Sequence, residues 1–167
     1  MNELEKLIGR AESSVTELGE CLKDRGWFIG TAESCTGGWI AQMLTAGAGS
    51  SSWFESSIVT YSNAAKINLL SVDPMTIERF GAVSGETAEQ MVTGLVKALG
   101  VDVGVSVTGI AGPSGGSVLK PVGTVWFGFS VPGMETHSVS EVFVGDRRLV
   151  RLKAVAYALS KTIHLLG

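Results

Sequence analysis

The segment VDVGVSVTG, residues 101–109, has almost no polar face. A strand with one side in water alternates apolar and polar side chains, so a run this uniformly apolar must be covered on both faces. Helices packed above and below a sheet supply that cover, and the rest of the chain should therefore alternate strands with amphipathic helices. It does. Leu4, Leu7, Ile8, Ala11, Val15, Leu18 and Leu22 recur at helical spacing, which predicts a helix over 3–25 that ends near Gly26. WFIGTAES (27–34) reads as a short buried strand, and Ser34–Gly38 opens a helix running to about 46. FESSIVTYS (54–62) is a second strand, NAAKINLL (63–70) a short helix, and Asp73-Pro74 starts another helical turn. Ser84 is placed to cap a helix over 85–99, just before the apolar strand. GTVWFGFSV (123–131) and THSVSEVFV (136–144) pair around Pro132-Gly133, and a last helix covers 146–165. The tight turn forces that pair antiparallel, so the sheet is mixed. The expectation is an α/β fold built as a three-layer α/β/α sandwich, one domain over 1–167.

Composition narrows the function classes. The chain has 167 residues, 45% of them hydrophobic and 17% charged, with a net charge of −3. There is no Lys/Arg block to serve as a nucleic-acid footprint, so no nucleic-acid partner is expected. No apolar run reaches the roughly 18–20 residues that cross a bilayer. The charged, helical start MNELEKLIGRAESS does not read as a signal peptide, and a cytoplasmic protein without a membrane partner is expected. Cys21 and Cys35 form no CxxC pair, and His137 and His164 stand alone. Neither a metal site nor a cofactor is expected. The apolar composition, with the exposed-looking Trp39, Trp53 and Trp126, fits a homo-oligomer, most simply a dimer. Core packing explains tryptophans equally well.

In open α/β sheets ligands sit beyond the carboxyl ends of the parallel strands. Those ends carry ESCTGG, TYSNAAK and TGIAGPSGG. The first is a strand-to-helix elbow. Its amides and the glycines Gly37 and Gly38 can receive an anion or oxyanion, and Ser34 is an N-cap, a donor or a nucleophile. The serines of AGAGSSSWFE are turn residues or a second source of a nucleophile. Lys66 is either solvated or, if desolvated at the rim, a general base with a lowered pKa. Tyr61 lies near it in sequence, placed to relay a proton or hold the lysine. With no histidine in a setting for a triad, Ser–Lys is the nucleophilic device the residues offer. The glycine-rich loop from Gly109 to Pro121 lets bare backbone at Gly109 and Gly112 approach a phosphate or ribose. It has neither P-loop nor dinucleotide-fingerprint spacing. Arg147, in the first turn of the last helix, is poorly matched to the helix dipole, which points to another task such as pairing a phosphate. Its neighbour Arg148 is the other candidate.

Together TAESCTGG, AGSSSWFE, VTYSNAAK, GAVS, VTGIAGPSGG, KPVGTVWF and VGDRRLVR, in this order, resemble the CinA C-terminal-domain family of nicotinamide-nucleotide amidases. The resemblance covers about 5–165. It implies a five-stranded mixed sheet and hydrolysis of the carboxamide of nicotinamide mononucleotide to nicotinate mononucleotide and ammonia, without a metal. It places a Ser–Lys dyad on Ser51 and Lys66, with Tyr61, Ser34 and Thr108 lining the site and Arg147 as the arginine of the GDR motif. The residues alone leave Ser51 and Ser34 both open as nucleophile; the resemblance favours Ser51. A nucleotide-binding module without turnover is the competing reading. An RNA-binding accessory domain is the third, and the acidic balance opposes it.

Overall fold

A computed structural model describes residues 2–167. Helix α1 spans Glu3–Arg25. Asn2 and Glu5 close a capping box at its start, and Gly26, in the left-handed region at φ 66°, ends it. Strand β1 (Ile29–Glu33) is buried along its whole length. Helix α2 is a short Trp39–Leu44 segment, entered through Gly37 and Gly38 at φ 62° and 95°. A 3₁₀ turn at Ser50–Ser52 leads into β2 (Phe54–Val59). Helices α3 (Asn63–Leu70), α4 (Pro74–Phe80) and α5 (Gly85–Leu99) follow, capped by Ser62, Asp73 and Ser84. Strands β3 (Val103–Gly109), β4 (Thr124–Ser130) and β5 (His137–Val142) precede α6 (Arg147–Leu166).

The five strands lie in the order β2-β1-β3-β4-β5. β1 is parallel to both β2 and β3, whereas β4 and β5 run antiparallel to their neighbours. The apolar segment thus becomes β3, the middle strand. One layer of helices (α1, α2, α6) packs Ala11, Leu18, Leu22, Ile40, Leu44, Val150 and Val155 against Val103, Val105, Phe127 and Phe129. On the other face Leu70, Val72, Met91 and Leu95 meet Ala32 of β1. Among the described residues no helix is long and apolar enough to cross a membrane.

Two expectations shift. Trp53 is 5% exposed, its ring filling the space beside Gly19 rather than facing solvent. Strand β1 begins at Ile29, because Trp27 is still bonded to the carbonyl of Leu22 at the end of α1.

Candidate active site

Strands β1, β2 and β3 all point their carboxyl ends to one rim, and the chain leaving each end builds a cleft of about 200 Å³. Ser34 and Cys35 follow β1, Tyr61, Asn63 and Lys66 follow β2, and Thr108, Gly109 and Ala111 come from β3. Ala82, Val83 and Arg147 complete the wall.

At its base is a buried pair. Lys66 projects from the first turn of α3 and is 1% exposed. Its Nζ donates to Ser34 Oγ at 2.9 Å, to the carbonyl of Thr60 at 2.9 Å and to that of Tyr61 at 3.4 Å. No carboxylate touches it. Burial lowers its pKa below the ordinary 10.5, and a charge on Cys35 would oppose this. That opposition is absent near neutrality, because burial pushes the Cys35 thiol up to about 12 and keeps it protonated. Ser34 Oγ therefore faces an amine that loses its proton more easily than a solvated lysine, at hydrogen-bond distance.

The expected pairing of Ser51 with Lys66 is not what this fold makes. Ser51 is exposed in the 3₁₀ turn before β2, whereas Lys66 follows the end of β2. Six strand residues, about 20 Å of chain, separate the two rims. Ser34 holds the position expected of Ser51. Tyr61 meets Lys66 through its carbonyl, and its hydroxyl accepts from Arg147 Nη2 at 2.9 Å. Arg147 Nη1 also donates to the carbonyl of Gly112 at 2.8 Å, which ties α6 to the glycine-rich loop at the cleft mouth. Arg148 is exposed and does not line the cleft. Thr108 lines the cleft, and its hydroxyl donates to the carbonyl of Ala82 at 2.8 Å, which ties it to the 81–84 loop.

Gly109, which lines the cleft, and Gly112 also have a packing role. A Cβ on Gly112 would lie 2.5 Å from Val122 and one on Gly109 2.8 Å from Val125. Bare backbone is needed there because the loop folds back on itself. Gly37 and Gly38 form the elbow but do not line the cleft.

Sequence reading missed Glu33 and Arg151. The Glu33 carboxylate, fully buried, accepts from Thr36 Oγ1 at 2.7 Å and from the amides of Gly38, Ile40 and Ala41 at 3.0, 3.1 and 2.8 Å. The amides at the start of α2, expected to receive a substrate anion, are already bonded to it. Its one signal was a charge at the end of a buried strand. Arg151, one helical turn beyond Arg147, donates to the carbonyls of Cys35 and Thr36.

A larger groove of about 920 Å³ lies between α1 and α6, with Leu7, Phe143 and Tyr157 in its walls. It contains neither Ser34 nor Lys66. Among the described residues no group of three or more His, Cys, Asp and Glu side chains gathers in one place.

Fold and site define an α/β/α domain with a buried serine–lysine pair at the carboxyl ends of its parallel strands. The chain belongs to the CinA C-terminal domain family, whose pattern matches residues 11–166. It is 51% identical over 148 residues to a nicotinamide-nucleotide amidohydrolase PncC of Enterobacter agglomerans, covering 89% of this chain and 90% of that protein. It is also 51% identical to the protein of that name from Escherichia coli K12, over 143 residues, 86% of this chain and 87% of the other. The crystal structure of a competence/damage-inducible protein from Agrobacterium tumefaciens superposes with a TM-score of 0.91 at 38% identity, covering 95% of this chain and 96% of that one.

Proposed function

We infer that this protein hydrolyses the carboxamide of nicotinamide mononucleotide, releasing nicotinate mononucleotide and ammonia, with Ser34 as nucleophile and Lys66 as general base. The observation that carries the reading is the buried 2.9 Å contact between Lys66 Nζ and Ser34 Oγ. The names of the half-identical relatives supply the substrate.

In the resting state that acts, Lys66 is a neutral amine. It takes the proton of Ser34 Oγ as the oxygen attacks the carboxamide carbon. The carbonyl oxygen becomes an oxyanion, held by backbone amides of the elbow. The C–N bond then breaks and Lys66 returns its proton to the leaving nitrogen, which departs as ammonia. An ester on Ser34 remains. Water attacks this ester while Lys66 removes its proton, and the proton passes to Ser34 Oγ as the acid leaves. Lys66 thus ends each half-reaction as it began, and no net charge accumulates in the cleft.

The cleft accommodates the pyridine carboxamide, with the ribose phosphate directed to its mouth. There Arg147, whose guanidinium has five N–H donors and spends two contacts on Gly112 and Tyr61, keeps donors for the phosphate. The test is ammonia release from nicotinamide mononucleotide by purified protein, beside Lys66→Ala and Ser34→Ala. Release by the parent protein and loss in both folded variants are expected. Binding of the mononucleotide without release would move the assignment to a binding module.

A further inference from the structure

The amides from Ser34 to Ala41 can be accounted for one by one. The Ser34 amide donates to Val107, that of Gly37 to the Ser34 carbonyl at 3.0 Å, and that of Trp39 to the Thr36 carbonyl at 3.1 Å. Those of Gly38, Ile40 and Ala41 go to Glu33. The amides of Cys35 and Thr36 are the two left over, and both belong to the peptides immediately after Ser34. Backbone amides are nearly always paired; the Cys35 amide meets the sulfur of its own residue, and among the described residues the Thr36 amide has no protein partner, which calls for a reason.

Their direction is set by the carbonyls of the same peptide planes, since C=O and N–H point opposite ways across a trans peptide. The Ser34 carbonyl is held by Gly37, which orients the Cys35 amide. The Cys35 carbonyl receives Arg151 Nε at 2.9 Å, which orients the Thr36 amide, and Arg151 Nη2 reaches the Thr36 carbonyl, also at 2.9 Å. Arg151 does not line the cleft, whereas Cys35 does. The guanidinium thus holds the Cys35 carbonyl on its own side, outside the cleft, and the Thr36 amide of the same peptide points the opposite way; Thr36 itself is fully buried and is not part of the cleft wall. It is itself held over the ring of Trp39, 5.3 Å from the centroid. Gly37 makes the turn beneath it, at φ 62° in the left-handed region that glycine adopts without strain. A cation on the carbonyl side also polarises the peptide and strengthens the N–H as a donor.

We propose that Arg151 is a positioning residue of the reaction: it turns the Thr36 amide, beside that of Cys35, toward the oxygen that becomes negative when Ser34 attacks. The assignment rests on the amidase reading above. Glu33 makes it specific, because it withdraws the amides at the start of α2 from competition.

The experiment compares the parent protein with Arg151→Ala and Arg151→Lys on nicotinamide mononucleotide and on its thioamide analogue, with melting temperature as a check on folding. Sulfur accepts hydrogen bonds poorly, so the thioamide reports the oxyanion contacts directly. Arg151→Ala should lower kcat on the carboxamide about 100-fold, as loss of one oxyanion donor does, with KM within threefold. Its oxygen-to-sulfur rate ratio should fall at least tenfold, and Arg151→Lys should fall between. An unchanged ratio in either folded variant, or a loss confined to KM, overturns the proposal. Should Arg151→Ala not fold, the ratio in Arg151→Lys decides. A parent protein that releases no ammonia refutes the amidase reading itself and takes this assignment with it.

Discussion

Replacing Gly94 with alanine should damage catalysis from a position outside the cleft. Gly94 lies on α5 where α3 crosses it, and a Cβ built there would sit 1.8 Å from the carbonyl oxygen of Leu70. Contacts under 3.0 Å are essentially never made by real Cβ atoms, and the obstacle is backbone, so the helices must part by about 1.2 Å. Leu70 is the last residue of α3 and Lys66 lies one turn before it. The displacement therefore moves the lysine whose Nζ stands 2.9 Å from Ser34 Oγ. Overpacking of this kind costs about 1–3 kcal/mol, which lowers the melting temperature by roughly 2–12 °C in a domain of this size. A shift of about 1 Å in a catalytic group costs on the order of 100-fold in rate. Ammonia release and thermal unfolding of Gly94→Ala measure both, below its melting temperature. Turnover within threefold of the parent protein, with unfolding shifted by less than a degree, would show that α3 does not depend on this contact to place Lys66.

Ser34→Ala should reduce turnover by roughly a thousandfold or more, while Ser51→Ala, exposed on the opposite rim, should stay within twofold; the reverse ranking in ammonia release would refute the assignment of Ser34. Lys66 has a lowered pKa, so the neutral base accumulates as pH rises and kcat/KM should climb through a midpoint below 10.5; a midpoint at or above that value would contradict burial as the activating effect. The same shift means that the unfolded chain binds the extra proton between the folded-state pKa and 10.5. Stability should rise with pH across that window, so the advantage of Lys66→Met over the parent protein in denaturant unfolding should shrink there. Arg147→Ala should raise KM for the mononucleotide at least tenfold and leave the riboside unaffected; equal effects on both would remove the phosphate from its role.

The fold was readable because its signals were redundant. The uniformly apolar 101–109 segment demanded cover on both faces, and it became the middle strand. Asp73-Pro74 and the capping residue Ser84 announced two helix starts, and the side chains of Asp73 and Ser84 each accept an amide there. Element ends were less legible. Predicted strand 54–62 stops at Val59, because the chain turns away for Ser62 to cap α3. Glycines were only partly legible for a related reason. Sequence shows that a side chain is absent but not what packs in its place, and at Gly112 the neighbour is Val122.

In the site the pairing of Ser51 with Lys66 is instructive because topology alone argues against it. A parallel sheet sends every strand start to one rim and every strand end to the other. Ser51 precedes β2 and Lys66 follows it, so the two flank one strand and are held apart by its length. Ser34 and Lys66 follow two neighbouring parallel strands, β1 and β2, and so must emerge side by side. The resemblance favoured the first pairing, and strand direction favours the second. Glu33 and Arg151 lay beyond either rule. What they do depends on which amides and carbonyls of the elbow remain unbonded once the backbone has turned, and that is a property of the turn, not of the residues' spacing.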